Sequence, residues 1–292
     1  MELLVQQIIA GIATGAIYAC VALSTVMIFQ AIQHINFAQG EMAMFSAYIA
    51  LQLIAWGVPY WMAFAITVAF SFAAGMAIER VLIRPLLRST VFMQVVMFIA
   101  LMTLVNSSAG FIWGTAVVSF PSPFGFEPFM GIELISNHQM GMLFITLIML
   151  VILFFFFRFT RVGLAMTAAA AEPTSARLVG IRVGWMIALG WGMAAAIGAV
   201  AGILIAPVVF LEPQMMISIL VYGFAGAVLG GLTSPGGAVL GGILMGVIDN
   251  LAGTYIPVVG TELRLTIALT IIIAMLLIRP QGIIGRRIVE RV

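Results

Sequence analysis

Long apolar runs separated by short polar breaks organise this chain. Nine runs can be read. They are about Ile8–Phe29, Met42–Trp56, a third that follows the Gly57-Val58-Pro59 turn and ends near Ile78, Val91–Trp113, Met140–Phe157, Trp185–Val209, Met215–Gly230, Ala238–Leu251 and Leu263–Ile278. A helix needs about 20 apolar residues to cross a hydrocarbon core about 30 Å thick, and most of these runs approach that length. None has the period-two alternation of a transmembrane barrel strand. The pattern predicts an all-α, polytopic integral membrane protein with about 8–10 transmembrane helices. The shorter runs leave room for broken or re-entrant helices.

Composition agrees and adds a direction. Charged residues make up 8% of the chain, against about a quarter in soluble domains. All twelve basic residues are arginines, and eleven fall in three clusters: Arg80, Arg84 and Arg88; Arg158, Arg161, Arg177 and Arg182; Arg279, Arg286, Arg287 and Arg291. Basic loops stay on the cytoplasmic side of an inner membrane, so the clusters are assigned there. Glu127, Glu133, Glu212 and Glu262 fall in the segments assigned to the outside. The expected orientation is N-terminus out and C-terminus in, which suits an odd number of crossings. Arg264 is the exception, at the outer start of the last helix, where it can snorkel to the interface. Cys20 is the single cysteine, so no internal disulfide forms. The N-terminus lacks the basic region of a signal peptide, and Cys20 reads as a buried helix residue.

The same composition limits the chemistry. A Walker A motif requires a lysine, and the chain has none. A Schiff base is excluded for the same reason. His34 and His138 belong to different regions and offer no paired ligand spacing. No catalytic constellation stands out. The expectation is a transport protein, not an enzyme, with no cofactor, metal or nucleic acid bound by this chain. It either moves solutes alone or is the membrane part of a machine powered elsewhere.

Three segments depart from the apolar background. The first is about 168–181, Ala168-Ala169-Ala170-Ala171-Glu172-Pro173-Thr174-Ser175-Ala176-Arg177-Leu178-Val179-Gly180-Ile181. Pro173 suits the first helical position, Glu172 complements the positive helix end, and Gly180 suits a left-handed stop. A helix of about two turns is predicted, with Ala176, Leu178 and Val179 free for contact. It reads either as a docking helix for another protein's groove or as an ordinary interfacial loop. The second segment holds Asn36, a candidate cap for a helix starting at Phe37, with Gln39, Gly40 and Glu41 following. The third holds Ser234, a candidate cap with Pro235 at the first helical position, then Gly236 and Gly237. Helix ends inside a membrane present unpaired N–H groups that favour anions, whereas the same breaks at the surface are plain turns. These two groups are the candidate translocation-path residues. Glu41 and Asp249 are the acids placed at membrane depth, lining a polar path or bonding a neighbouring helix. The pairs Gly11/Gly15, Gly198/Gly202, Gly226/Gly230, Gly237/Gly241 and Gly242/Gly246 read as close helix packing.

Ile35-Asn36-Phe37-Ala38-Gln39-Gly40-Glu41 resembles the INFAHGE signature of the permease subunits of bacterial branched-chain amino acid ABC importers. Ile78-Glu79-Arg80-Val81 with Arg84-Pro85, Glu172–Ile181, Ala225–Gly242 and Arg279-Pro280-Gln281-Gly282-Ile283-Ile284-Gly285 fit the same family in order. The resemblance covers essentially the whole chain and implies one permease domain, 1–292, the shorter of two permeases in the bacterial inner membrane. It implies as partners a second permease, two cytoplasmic ATPases that bind ATP-Mg, and a periplasmic substrate-binding protein. It makes about 168–181 the coupling segment, with Glu172, Pro173, Ala176, Arg177, Leu178, Gly180 and Ile181 as the residues that meet the ATPase. Gln39 stands where the family commonly has histidine. Leu164-Ala165-Met166-Thr167 lacks the arginine often found before the coupling segment. The expected cargo is a branched-chain or related amino acid. The alternatives are urea, short amides or aromatic acids on the same machinery, or an ATP-independent secondary transporter or channel.

Overall fold

The computed structural model describes residues 2–32, 34–86, 89–129, 132–256 and 263–285. Arg88, Glu262, Arg286, Arg287, Arg291 and the side chain of Glu133, all used above for orientation, lie outside the described residues. The helices in order are α1 (Glu2–Ile32), α2 (Gln39–Ala55), α3 (Tyr60–Ile78), a π-helical segment (Glu79–Ile83), α4 (Arg84–Leu86), α5 (Val91–Trp113), α6 (Asn137–Phe159), α7 (Arg161–Ala171), α8 (Pro173–Leu178), α9 (Val183–Val209), α10 (Met216–Gly230), α11 (Pro235–Tyr255) and α12 (Arg264–Ile278). Each of the nine apolar runs is a helix. Six helical stretches among the described residues are long and apolar enough to cross a membrane: Leu3–Ile32, Tyr60–Leu86, Val91–Trp113, Asn137–Phe159, Val183–Val209 and Pro235–Tyr255. The chain is a polytopic all-α membrane protein. Among the described residues the one sheet is a two-stranded antiparallel ribbon, β1 (Pro128–Phe129) with β2 (Ile132–Ser136), in the long loop before α6.

The helices sort into two compact units, one of residues 1–26, 122–146 and 218–292, the other of 27–121 and 147–217. Each is built on small residues, as expected where lipid removes the hydrophobic drive between helices and close packing must hold them. In the first unit α11 is the central contact. A Cβ at Gly11 would lie 2.7 Å from the backbone of Val247, and one at Gly15 would lie 2.7 Å from the carbonyl of Ile243. Gly242 faces the backbone of Ala19, Gly246 faces Gly15, and Gly226 and Gly230 of α10 press on Gly242 and Gly237. Cys20 is buried there, with its thiol 3.8 Å from Thr146 Oγ1.

In the second unit α9 fills the same role. Gly75 of α3 meets the carbonyl of Trp191 and the methyl of Ala195, each 2.7 Å from its would-be Cβ, and Gly202 faces the backbone of Ala43 on α2. Trp191 is fully buried and stacks on Phe98 of α5 with ring centroids 6.2 Å apart. The spaced small residues are therefore packing sites in both units.

Candidate functional site

The 168–181 segment holds the end of α7 and then a short helix that opens at Pro173 and stops at Gly180, as its local chemistry predicts. Thr160 caps α7 by accepting from Gly163 N at 3.0 Å, and the helix runs through Ala171. The chain then turns at Glu172 (φ −149°, ψ 87°), and Pro173 opens the short α8. Two bonds end α8: Ile181 N donates to Ala176 O and Gly180 N to Arg177 O, both at 3.0 Å. This is the Schellman pattern, and it needs the left-handed Gly180, whose φ is +86°. Ala176 is not free for contact. It is buried with Ala169 and Val183, against Ile181, Met186 and Ile187, and so anchors α8 to α7 and α9. Leu178 and Val179 are 85% and 77% exposed. Glu172, Pro173, Arg177 and Gly180 are exposed beside them, and Ile181 is half-buried.

The first arginine cluster meets the start of α9. Glu79 is fully buried and receives Arg84 Nη2 at 2.9 Å and Nε at 3.1 Å. Arg84 Nη2 also donates to Gly184 O at 2.5 Å. Arg80 lies over the ring of Trp185, 3.8 Å from its centroid. Gly184 and Trp185 come directly after Val183, so two arginines clamp the helix that leaves the α8 turn. The π-helical segment explains the reach, because it widens the turn and aligns residues five apart. Charge clustering alone marked these arginines only as topological signals.

At the N-terminal break, α2 starts at Gln39, two residues later than the Asn36 cap predicts, and its N-cap is Ala38 with no side-chain cap. Asn36 is buried and its Oδ1 accepts from Ala38 N at 3.0 Å, the reach expected of a cap, but it holds only a turn there, because the first α-helical bond runs from Met42 N to Ala38 O. Gln39 donates from Nε2 to Ala194 O on α9 at 2.9 Å and rests over Gly198. Gly40 is buried. Glu41, 3% exposed, accepts from Asn106 Nδ2 of α5 at 2.9 Å, and Asn106 also donates to Pro213 O at 2.8 Å. Beside this group a cavity of about 180 Å³ is lined by Met42, Phe45, Phe70, Ala74, Leu104 and neighbours. The Ser46 and Ser71 hydroxyls in its wall bond each other at 2.8 Å.

At the second break Ser234 caps α11 by accepting from Gly237 N at 3.1 Å, with Pro235 at the first position. Pro235 and Gly236 are exposed, and Gly237 packs on Gly230. The tail motif returns to this break. Ile283 N and Ile284 N donate to Leu229 O and Gly230 O at 2.8 and 3.0 Å, satisfying carbonyls that the end of α10 leaves open. Gly231, at φ +113°, has no room for a side chain, since its Cβ would lie 2.6 Å from Gln281 O. Asn36–Glu41 and Ser234–Gly237 belong to different units.

Residues 7–277 match the family model described as the permease component of branched-chain amino acid transport systems. The chain belongs to this family. The high-affinity branched-chain amino acid transport system permease protein BraD of Pseudomonas aeruginosa is 33% identical over 306 residues, covering 98% of this permease and 97% of BraD. The permease protein LivH of Escherichia coli strain K12 is 30% identical over 302 residues, with the same coverage. A probable LivH of Methanocaldococcus jannaschii is 27% identical over 270 residues, covering 86% of this chain and 82% of its own. Among solved structures, PsaBC from Streptococcus pneumoniae in complex with Fab aligns over 95% of this chain and 91% of that chain. Its identity is 11% and its TM-score 0.48, too low a likeness to argue from. The chain is thus the transport permease of a system with further components.

Proposed function

We propose that this permease is a membrane subunit of an ATP-driven importer that takes branched-chain or related amino acids from a periplasmic binding protein into the cytoplasm. The observation that carries the reading is α8, a short helix fixed from beneath by Ala176 while Leu178 and Val179 stand bare. An exposed pair of that kind at the surface fits insertion into a partner's groove. The partner is one of two cytoplasmic ATPases, which bind ATP-Mg, and a second permease completes the membrane part. The whole of 1–292 acts as one permease domain. The absence of lysine supports the division of labour, because this chain has no Walker A motif.

The contacts of Arg80 and Arg84 with Trp185 and Gly184 support a single cytoplasmic side for the first two arginine clusters. The orientation is N-terminus outside and C-terminus inside, in the bacterial inner membrane. ATP binding moves α8, and the clamp on Gly184 and Trp185 carries that movement into α9 and α3. Asn36, Gln39, Gly40, Glu41 and Ser234–Gly237 belong to the route or its gates. The test is cysteine cross-linking in the assembled complex. Leu178→Cys is expected to trap an ATPase subunit in an ATP-dependent yield, and failure at both Leu178→Cys and Val179→Cys contradicts the docking role.

A further inference from the structure

Polar groups are sparse inside the first unit, and several meet around α11. Tyr18 Oη of α1 donates to Asp249 Oδ2 at 3.3 Å. Its ring stacks on Tyr222 of α10, with centroids 4.9 Å apart and planes at 22°. Asp249 is 4% exposed, and its second oxygen, Oδ1, is buried without a hydrogen-bond partner. Its neighbour Asn250 is already engaged, donating to Thr14 Oγ1 at 2.9 Å and to Gly246 O at 3.0 Å. Four residues beyond Asp249, on the same face of α11, Gly253 receives the side chain of Arg264 from α12. A Cβ at Gly253 would overlap its Nε, Cζ and Nη2. The head of Arg264 thus lies against α11 near its C-terminal end. Its Nε is buried and also lacks a hydrogen-bond partner.

An acceptor and a donor of opposite charge are therefore held in one helix bundle, each with an unmet atom. Leaving such groups unmet away from water is costly, so their persistence argues for a use. Among the described residues the two do not form an ion pair. Gly253, which receives Arg264, lies one helical turn beyond Asp249 on α11, so the two unmet atoms belong to neighbouring parts of one bundle. A small molecule that carries both a cationic donor and an anionic acceptor can satisfy both. An α-amino acid zwitterion has this form, its ammonium donating to Asp249 Oδ1 and its carboxylate accepting from Arg264 Nε. The stacked tyrosines give an apolar wall beside it. The bond from Tyr18 keeps Oδ2 occupied and leaves Oδ1 for the ligand.

We propose that Asp249 and Arg264, walled by Tyr18 and Tyr222, form a site for the zwitterionic head of an α-amino acid. The proposal rests on the amino-acid transport reading, and the experiment separates the two. The probe is tritiated L-leucine binding to the assembled permease–ATPase complex in nanodiscs, without the binding protein. The competitors are leucinamide, which lacks the carboxylate, and 4-methylpentanoate, which lacks the ammonium. Leucine is expected to compete at least 10-fold better than either. Asp249→Asn and Arg264→Gln are each expected to weaken leucine at least 10-fold. The first should remove the advantage over 4-methylpentanoate, and the second the advantage over leucinamide. Tyr18→Phe, which keeps the ring stack, should weaken leucine less than Asp249→Asn and serves as the readout should the charge variants fail to assemble. No leucine binding to the wild-type complex, or unchanged affinity in Tyr18→Phe and the assembled charge variants, overturns the site. So does full recovery in the Asp249→Asn/Arg264→Gln double variant, because the two charges then only neutralise each other. ATP-driven leucine uptake by the wild-type complex with its binding protein is measured in parallel. Its absence sinks the transport reading itself, whereas its presence with insensitive variants sinks only the site.

Discussion

Arg84→Met removes the guanidinium that joins Glu79 to Gly184 O while keeping most of the stem. Glu79 is fully buried and Arg84 is 38% exposed. Breaking a buried pair by deleting one partner costs about 3–5 kcal/mol, because the other charge stays buried alone. Water reaches Arg84 on one side, which reduces the expected cost to about 2–3 kcal/mol. That is roughly 30- to 150-fold in the balance between a seated and an unseated α9 start. Glu79→Gln removes the charge but keeps a polar group, and the double variant removes both halves. The assay has two readouts on the assembled complex: the midpoint of thermal inactivation, and leucine imported per ATP hydrolysed. Arg84→Met should lower the midpoint and the import ratio together. The double variant should lose clearly less than the sum of the singles, the sign of a direct interaction. Losses in Arg84→Met below about 0.5 kcal/mol, or strictly additive losses in the double, would refute the clamp.

Other outcomes follow from the same geometry. Gly180→Val forces a β-branched residue into φ +86° where a Cβ itself meets nothing, so backbone strain of about 1–2 kcal/mol is the whole penalty. ATP turnover should continue with reduced uptake, and normal uptake would count against the Schellman stop as a coupling element. Gly246→Leu drives a side chain into the backbone of Gly15 and should prevent accumulation of folded protein in the membrane, as read by fluorescence-detected size exclusion. Gly190→Ala, whose Cβ meets only Met166 Cε at 3.8 Å, should be neutral or gain up to about 1 kcal/mol. Asn106→Ala leaves Glu41 buried without its donor and should cost about 1–3 kcal/mol in thermal stability; an unchanged midpoint would show that water replaces the amide.

The helices were legible because lipid permits little else. A long apolar run must satisfy its own backbone, so each run is a helix whatever surrounds it. The ends of α8 and the start of α11 were legible for a local reason: Pro173, Gly180, Ser234 and Pro235 each act on bonds within a few residues. Asn36 was half legible: its Oδ1 holds Ala38 N as a cap would, but the α-helical bonds begin only with Met42 N on Ala38 O, so α2 starts two residues later. Ala176 looked free because its cover lies outside its own helix: Ala169 seven residues before and Val183 seven after, folded over it by the turns at Glu172 and Gly180. The remaining features depend on partners far along the chain. Arg84 meets Gly184, Asn106 meets Glu41, and Ile283 meets Leu229. No spacing rule contains these pairs. Arg264 belongs with them. Its sequence position suggested an interface anchor, and only Gly253 reveals where its head rests.

A permease that works as part of an ATP-powered machine moves its cargo only when the whole assembly is present. The most direct measurement is uptake of labelled leucine into proteoliposomes that hold the purified chain with its partner permease and ATPases, with the binding protein outside and ATP inside. Uptake is expected to need ATP and to stop when the ATPases are omitted. Uptake by this chain alone, driven by an ion gradient and indifferent to ATP, would contradict it.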